Sequence, residues 1–195
     1  MERIYELIIN EEDDTGVDYI ALVDQPAIES NWIAFNKQEV KEQFSIEDEE
    51  KRIISGYLMK ADLPIVRLDE NNEKFHVVFR PKTVFEIALR YMKNGFNSNT
   101  NLNHDKSQLA EGVFLFESRI IDKQRGSIAP EGFEGAPDGS WFGSMYVKND
   151  KVWQQIKEGT FKGFSVEGNF LQSNPKNIEN DLVEELKQIV TDYLN

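Results

Sequence analysis

Short β-type runs, broken every few residues by turn-forming side chains, constrain the fold of this chain more than any other feature. Lys74 to Arg80 shows the pattern most clearly. Phe75, Val77 and Phe79 alternate there with His76, Val78 and Arg80, the period of a strand. Similar runs cover 2–9, 17–23, 31–35, 52–59, 65–68, 112–121, 141–147 and 161–171. Asp69 to Glu73, with two asparagines, fits a hairpin loop. Helical spacing occurs in three places. Pro81-Lys82-Thr83 opens a helix with Val84, Ile87, Ala88, Tyr91 and Met92 on one face, and Gly95 stops it. Asn149-Asp150 caps a second helix that Gly159 ends. Ile178, Leu182, Leu186, Ile189, Val190 and Tyr193 mark a third, amphipathic one. Eight or nine strands with so few helices predict an α+β, mainly β fold: an antiparallel sheet closing into a barrel, flanked by helices.

The organisation follows from these runs. At 195 residues the chain makes one domain, expected over 1–172, with a linker and the amphipathic helix over 173–195. That helix is open to packing on its own domain, pairing with a second copy, or binding a partner. Glu47-Asp48-Glu49-Glu50 reads as a solvated loop, the ordinary fate of a charge run. Residues 123–139 hold four glycines and two prolines, and a loop of that length is often functional.

Composition then removes whole classes of chemistry. The absence of cysteine excludes disulfides, iron–sulfur clusters, thiol catalysis and cysteine-bound zinc. With 35 acidic against 22 basic residues, net charge -13, no basic stripe for nucleic acid is expected. No run approaches a membrane span, and the first residues lack the basic and apolar regions of a signal peptide, so a cytoplasmic protein is expected. There is no Walker loop, no His-Glu-x-x-His helix and no Gly-x-Ser-x-Gly elbow. No cofactor and no metal are expected. Only two histidines exist, His76 and His104. His76 shares a strand face with Val78 and Arg80 and reads as structural.

What remains is His104 and the run Lys162-Gly163-Phe164-Ser165-Val166-Glu167-Gly168. A serine flanked by glycines lets a substrate backbone come close. A free serine hydroxyl is a poor nucleophile and needs a base, usually a histidine that a third group orients. Taken alone, a Gly-Phe-Ser-Val-Glu-Gly strand is more often plain structure than a catalytic one, and His104 before Asp105 is equally suited to a turn or a capping role.

Together these segments resemble the phage prohead (head-maturation) serine protease family. The resemblance rests on Tyr19-Ile20-Ala21-Leu22-Val23-Asp24-Gln25-Pro26-Ala27-Ile28, then Arg52-Ile53-Ile54-Ser55-Gly56 and Pro64-Ile65-Val66-Arg67. It continues through Asn101-Leu102-Asn103-His104-Asp105, Glu117-Ser118-Arg119-Ile120 and Gly139-Ser140-Trp141-Phe142. It ends at Val152-Trp153, Gly159 and Lys162 to Gly168. The order and spacing span nearly the whole chain.

The resemblance implies a closed barrel like that of herpesvirus assemblin and a serine endopeptidase. Its substrates would be scaffold and major capsid protein, and the enzyme itself, inside the assembling prohead in the host cytoplasm. It implies Ser165 as nucleophile and His104 as general base. Assemblin places a second histidine after its serine, and this chain has none there, so a carboxylate or a dyad is implied. Glu117 is the first candidate, with Asp105 and Glu167 as further ones. The 126–139 loop and Arg119 are candidates for the oxyanion site. Self-association as a dimer is expected. Two other classes compete: a catalytically silent head protein of the same fold, with its tail helix as the working surface, and a generic β-barrel binding module.

Overall fold

The computed structural model describes residues 4–10, 14–24 and 37–173, the side chains of 37–42 excepted. Among the described residues, twelve strands form two sheets. The strands are β1 (Ile4–Ile8), β2 (Gly16–Val23), β3 (Lys37–Asp48), β4 (Ile53–Met59), β5 (Ile65–Leu68) and β6 (Lys74–Val78). After helix α1 (Pro81–Lys93) and a 3-10 turn (Phe96–Ser98) come β7 (Thr100–Leu102), β8 (Asp105–Leu109), β9 (Val113–Ile120) and β10 (Trp141–Val147). Helix α2 (Asp150–Lys157), β11 (Gly163–Asn169) and β12 (Leu171–Gln172) follow.

The larger sheet runs β8-β7-β2-β11-β3-β4-β10-β9 and the smaller β12-β1-β6-β5. Leu7, Ile20, Leu22, Leu58, Val77 and Phe79 from both sheets meet Ile87 and Tyr91 of α1 in one core. Trp141 and Phe164 fill its centre, each fully buried. Burying a side chain of this kind contributes about 1.5–3 kcal/mol. Local signals agree with the helices. Pro81 stands in the first turn of α1, where its missing N–H costs nothing, and Gly95 follows the helix at φ +72°. Asn149 accepts a hydrogen bond from Val152 N at 3.1 Å and caps α2. Met92, expected on the buried face of α1, is 42% exposed. No helix among the described residues is long and apolar enough to cross a membrane.

The closed antiparallel barrel is not what this chain forms. The eight-stranded sheet is open, with β8 and β9 as unpaired edges, and both sheets are mixed. β2 pairs with β7 in parallel, and so does β1 with β6. Closure would need β8 and β9 to share a ladder at a fixed stagger. Among the described residues no ladder joins them, although only a tight turn separates them, with Val113 N donating to Ala110 O at 3.0 Å and Gly112 at φ +77°. The first and last described strands also leave the large sheet: β1 takes β6 on one side and β12 on the other.

One expectation about elements also changes. Glu49 and Glu50 do form a turn, but Glu47 and Asp48, expected in a solvated loop, instead end β3, which is paired on both sides by β11 and β4. Phe44 supplies its apolar face and meets the Phe164 ring at 5.0 Å. The 31–35 run and the tail helix at 178–195 lie outside the described residues.

One irregularity positions the candidate site. Between β2 and β11 the register steps from Glu167↔Tyr19 to Gly168↔Val17, leaving Asp18 as a one-residue bulge. The backbones close up at that step, and a Cβ on Gly168 would lie 1.8 Å from Gly16 O. Gly168→Ala is therefore expected to destabilise the fold by about 3 kcal/mol, read as a lower urea midpoint. An unchanged midpoint would contradict this packing.

Candidate active site

β11 is buried on both faces, and its alternation sorts its side chains. Phe164 and Val166 enter the core. Ser165 and Glu167 therefore share the opposite face of the sheet. Ser165 lies in register with Ala21 of β2 and Lys41 of β3. It is fully buried, and its Oγ has no hydrogen-bond partner among the described residues.

His104 reaches this face through a hairpin. Leu102 pairs with Asp105, so Asn103 and His104 form a two-residue turn between β7 and β8. Both have positive φ, +49° and +62°, as a type I′ turn requires. Asn suits the first place, but the second normally takes glycine. A histidine there holds a conformation costing of order 1–3 kcal/mol, which neighbouring contacts must offset. Asn103 N donates to Leu22 O at 2.9 Å, and Asp24 N donates to Asn103 Oδ1 at 3.2 Å. The turn is thus stitched to the end of β2. In register, Ser165, Ala21 and Asn101 make one row across β11, β2 and β7. The small Ala21 in the middle leaves room above β2 for longer side chains to meet.

Glu167 is where they meet. Its Oε2 lies 3.3 Å from His104 Nδ1 and accepts from Asn101 Nδ2 at 3.4 Å. Its Oε1 lies 3.5 Å from Lys106 Nζ. The Glu167 side chain is only 4% exposed and that of His104 15%. An ionised carboxylate can only accept, so Nδ1 carries the proton toward Glu167 and the lone pair falls to Nε2, which is buried. That is the tautomer a general base needs. Asp18 at the bulge has its carboxyl raised above the usual range, mainly by burial and then by Asp14 and Glu167; Lys106 and Arg90 oppose the rise.

The family model described as "Putative phage serine protease XkdF" matches residues 39–172, more than half of the chain. The chain belongs to this phage serine protease family. No curated protein and no solved structure matches it. The match covers His104, Ser165 and all three carboxylates weighed as the third member.

The three carboxylates have different surroundings in the structure. Glu117, the first candidate, stands on β9, an edge strand of the sheet. It accepts from Ser144 Oγ at 2.7 Å and lies 3.9 Å from Arg119. Ser144 Oγ lies 2.9 Å from Ser55 Oγ, which in turn donates to Glu47. Glu117 therefore belongs to a separate polar row, and no contact brings it to His104. Asp105 follows His104 in sequence but bends back along β8. It accepts from Ser107 Oγ at 2.6 Å and Gln108 Nε2 at 2.7 Å. Those bonds, with the Ser107 backbone N–H, hold its carboxyl below the usual range. Glu167 is the carboxylate in contact with the imidazole. His76 pairs with Ile4 and Val66 in the smaller sheet.

The 123–139 loop packs over Tyr57 and Phe142, with Tyr57 Oη donating to Phe133 O at 2.6 Å. Arg119 lies over the Phe142 ring at 5.4 Å and beside Glu117. Asn101 and Lys106 do not stand out in the sequence as functional residues. Asn101 lies inside the motif around His104, whereas Lys106 becomes legible only once the hairpin is known.

A buried hydroxyl without a partner costs about 1–3 kcal/mol. Ser165→Ala is thus expected to melt no lower than wild type and up to a few degrees higher. A fall of several degrees in a thermal melt would show that Ser165 makes a structural bond.

Proposed function

We propose that this chain is a serine endopeptidase acting through Ser165, His104 and Glu167, and that it trims scaffold and major capsid protein during phage head maturation. The observation that carries the reading is one sheet face holding both a buried serine hydroxyl without a partner among the described residues and a histidine whose Nδ1 faces a buried carboxylate. Family membership supports the serine chemistry. The capsid substrates extend the resemblance of the sequence to head-maturation proteases.

In this mechanism Ser165 Oγ attacks the peptide carbonyl while His104 Nε2 takes its proton. The imidazolium formed faces Glu167, which stays ionised and steadies it. His104 then protonates the leaving amine, and water repeats the sequence on the acyl-enzyme. The hydrogen bond from Ser165 to His104 is not formed in the structure. Catalytic bonds of this kind often tighten only once substrate is bound.

Co-expression with the neighbouring capsid and scaffold genes, followed by intact-mass analysis, tests the reading. Wild type is expected to yield discrete truncations and Ser165→Ala only full-length chains. Full-length masses in both would instead favour a silent head protein of the same fold. With a cleavable substrate in hand, Glu167→Gln is expected to lower kcat about 10²–10⁴-fold, and Glu117→Gln to leave it within about threefold. The reverse order would return Glu117 to the triad.

A further inference from the structure

We propose that Lys106 is a positioning residue for the catalytic base: its ammonium stands at one oxygen of Glu167, leaves the other to His104, and offsets the carboxylate's charge so that the imidazole is kept as the neutral base. This inference rests on the reading of Ser165, His104 and Glu167 given above, and it deepens that reading. Lys106 stands two residues beyond His104 on β8, directly after the I′ turn. Its ammonium touches two groups of the site. Nζ lies 3.5 Å from Glu167 Oε1 and 4.7 Å from the centroid of the Tyr19 ring. Tyr19 is the register partner of Glu167 on β2. The cation therefore sits beside a carboxylate and an aromatic ring that the sheet itself places together, which fixes a side chain still 47% exposed.

A carboxylate can present either oxygen to a histidine. With Oε1 beside Lys106, Oε2 is the oxygen left for His104 Nδ1 and Asn101 Nδ2. The cation also balances charge. The face is acidic: Glu167 on β11, the bulged Asp18 on β2, and Asp14 just before β2. Glu39 of β3 stands in register with Glu167, and Lys41 of β3 with Ser165. Arg90 of α1 joins Lys106 in lowering the Asp18 carboxyl. Asp105, next to His104, is engaged by Ser107 and Gln108. Without Lys106 the buried Glu167 carboxylate has less positive charge beside it. The imidazolium form of His104 then gains over the neutral base.

The sequence makes this directly measurable, because the chain has only two histidines. His76, in the smaller sheet, serves as the internal reference. The experiment is an NMR titration of both imidazoles in the full-length wild type, Lys106→Gln and Lys106→Arg. Lys106→Gln is expected to move the His104 midpoint to higher pH by roughly half a pH unit or more. Lys106→Arg should restore it, and His76 should stay put in all three. A His104 midpoint that does not move in Lys106→Gln overturns the proposal. So does a shift shared equally by His76, which would mark a general change.

Cleavage supplies the second readout. The acid limb of kcat for Lys106→Gln should move to higher pH, with activity regained as pH rises; each pH unit is tenfold in protonation ratio. A uniform loss at every pH contradicts this charge role and leaves only a structural one. The titration needs no turnover, so it tests Lys106 independently of whether the chain cuts. A wild type that cuts nothing would count against the activity alone.

Discussion

A carboxylate buried as deeply as Glu167 needs partners for its charge, and the local structure is arranged around supplying them. Isolated in the interior, such a group would take up a proton rather than stay ionised. Here His104, Asn101 and Lys106 surround it from a single hairpin, β7–β8. That hairpin is held in place by pairing in parallel with β2, the strand lying between it and Glu167. The bulge at Asp18 and the close approach of Gly168 to Gly16 set where Glu167 stands on its strand. Changing any of these would move the carboxylate relative to the imidazole.

Three departures from ordinary folding rules fall within this small region. Ser165 buries a hydroxyl without a partner among the described residues. His104 occupies a left-handed turn position that favours glycine. Glu167 buries a charge. Each costs stability and none improves the core, so their coincidence on one sheet face supports a role in chemistry. The Glu47–Ser55–Ser144–Glu117 row, on other strands of the same sheet, is satisfied internally and shows no such combination.

Much of the fold is legible in the residues, and the limits have physical causes. The runs 65–68 and 141–147 are strands at those bounds, since each is a compact apolar run between turn signals. β8 is hard to see because its turn reads Asn-His rather than Asn-Gly, and its sequence Asp-Lys-Ser-Gln-Leu is polar. Openness is illegible for a different reason. Whether β7 lies parallel to β2 depends on where the chain returns after α1, which alternation does not encode. The same gap explains the order given to the carboxylates. Glu167, two residues from the serine on the same face, is visible as a candidate. Only the parallel β2/β7 pair shows that His104 is delivered to it and not to Glu117.

On the proposed mechanism, Ser165 is a nucleophile activated by His104. Mass mapping after treatment with a fluorophosphonate tests it most directly, because the reagent phosphonylates a serine that a neighbouring base has activated. One adduct is expected, on the peptide carrying Ser165 in wild type, and none in His104→Ala. An unmodified Ser165 in the wild type, or labelling that persists without His104, would contradict it.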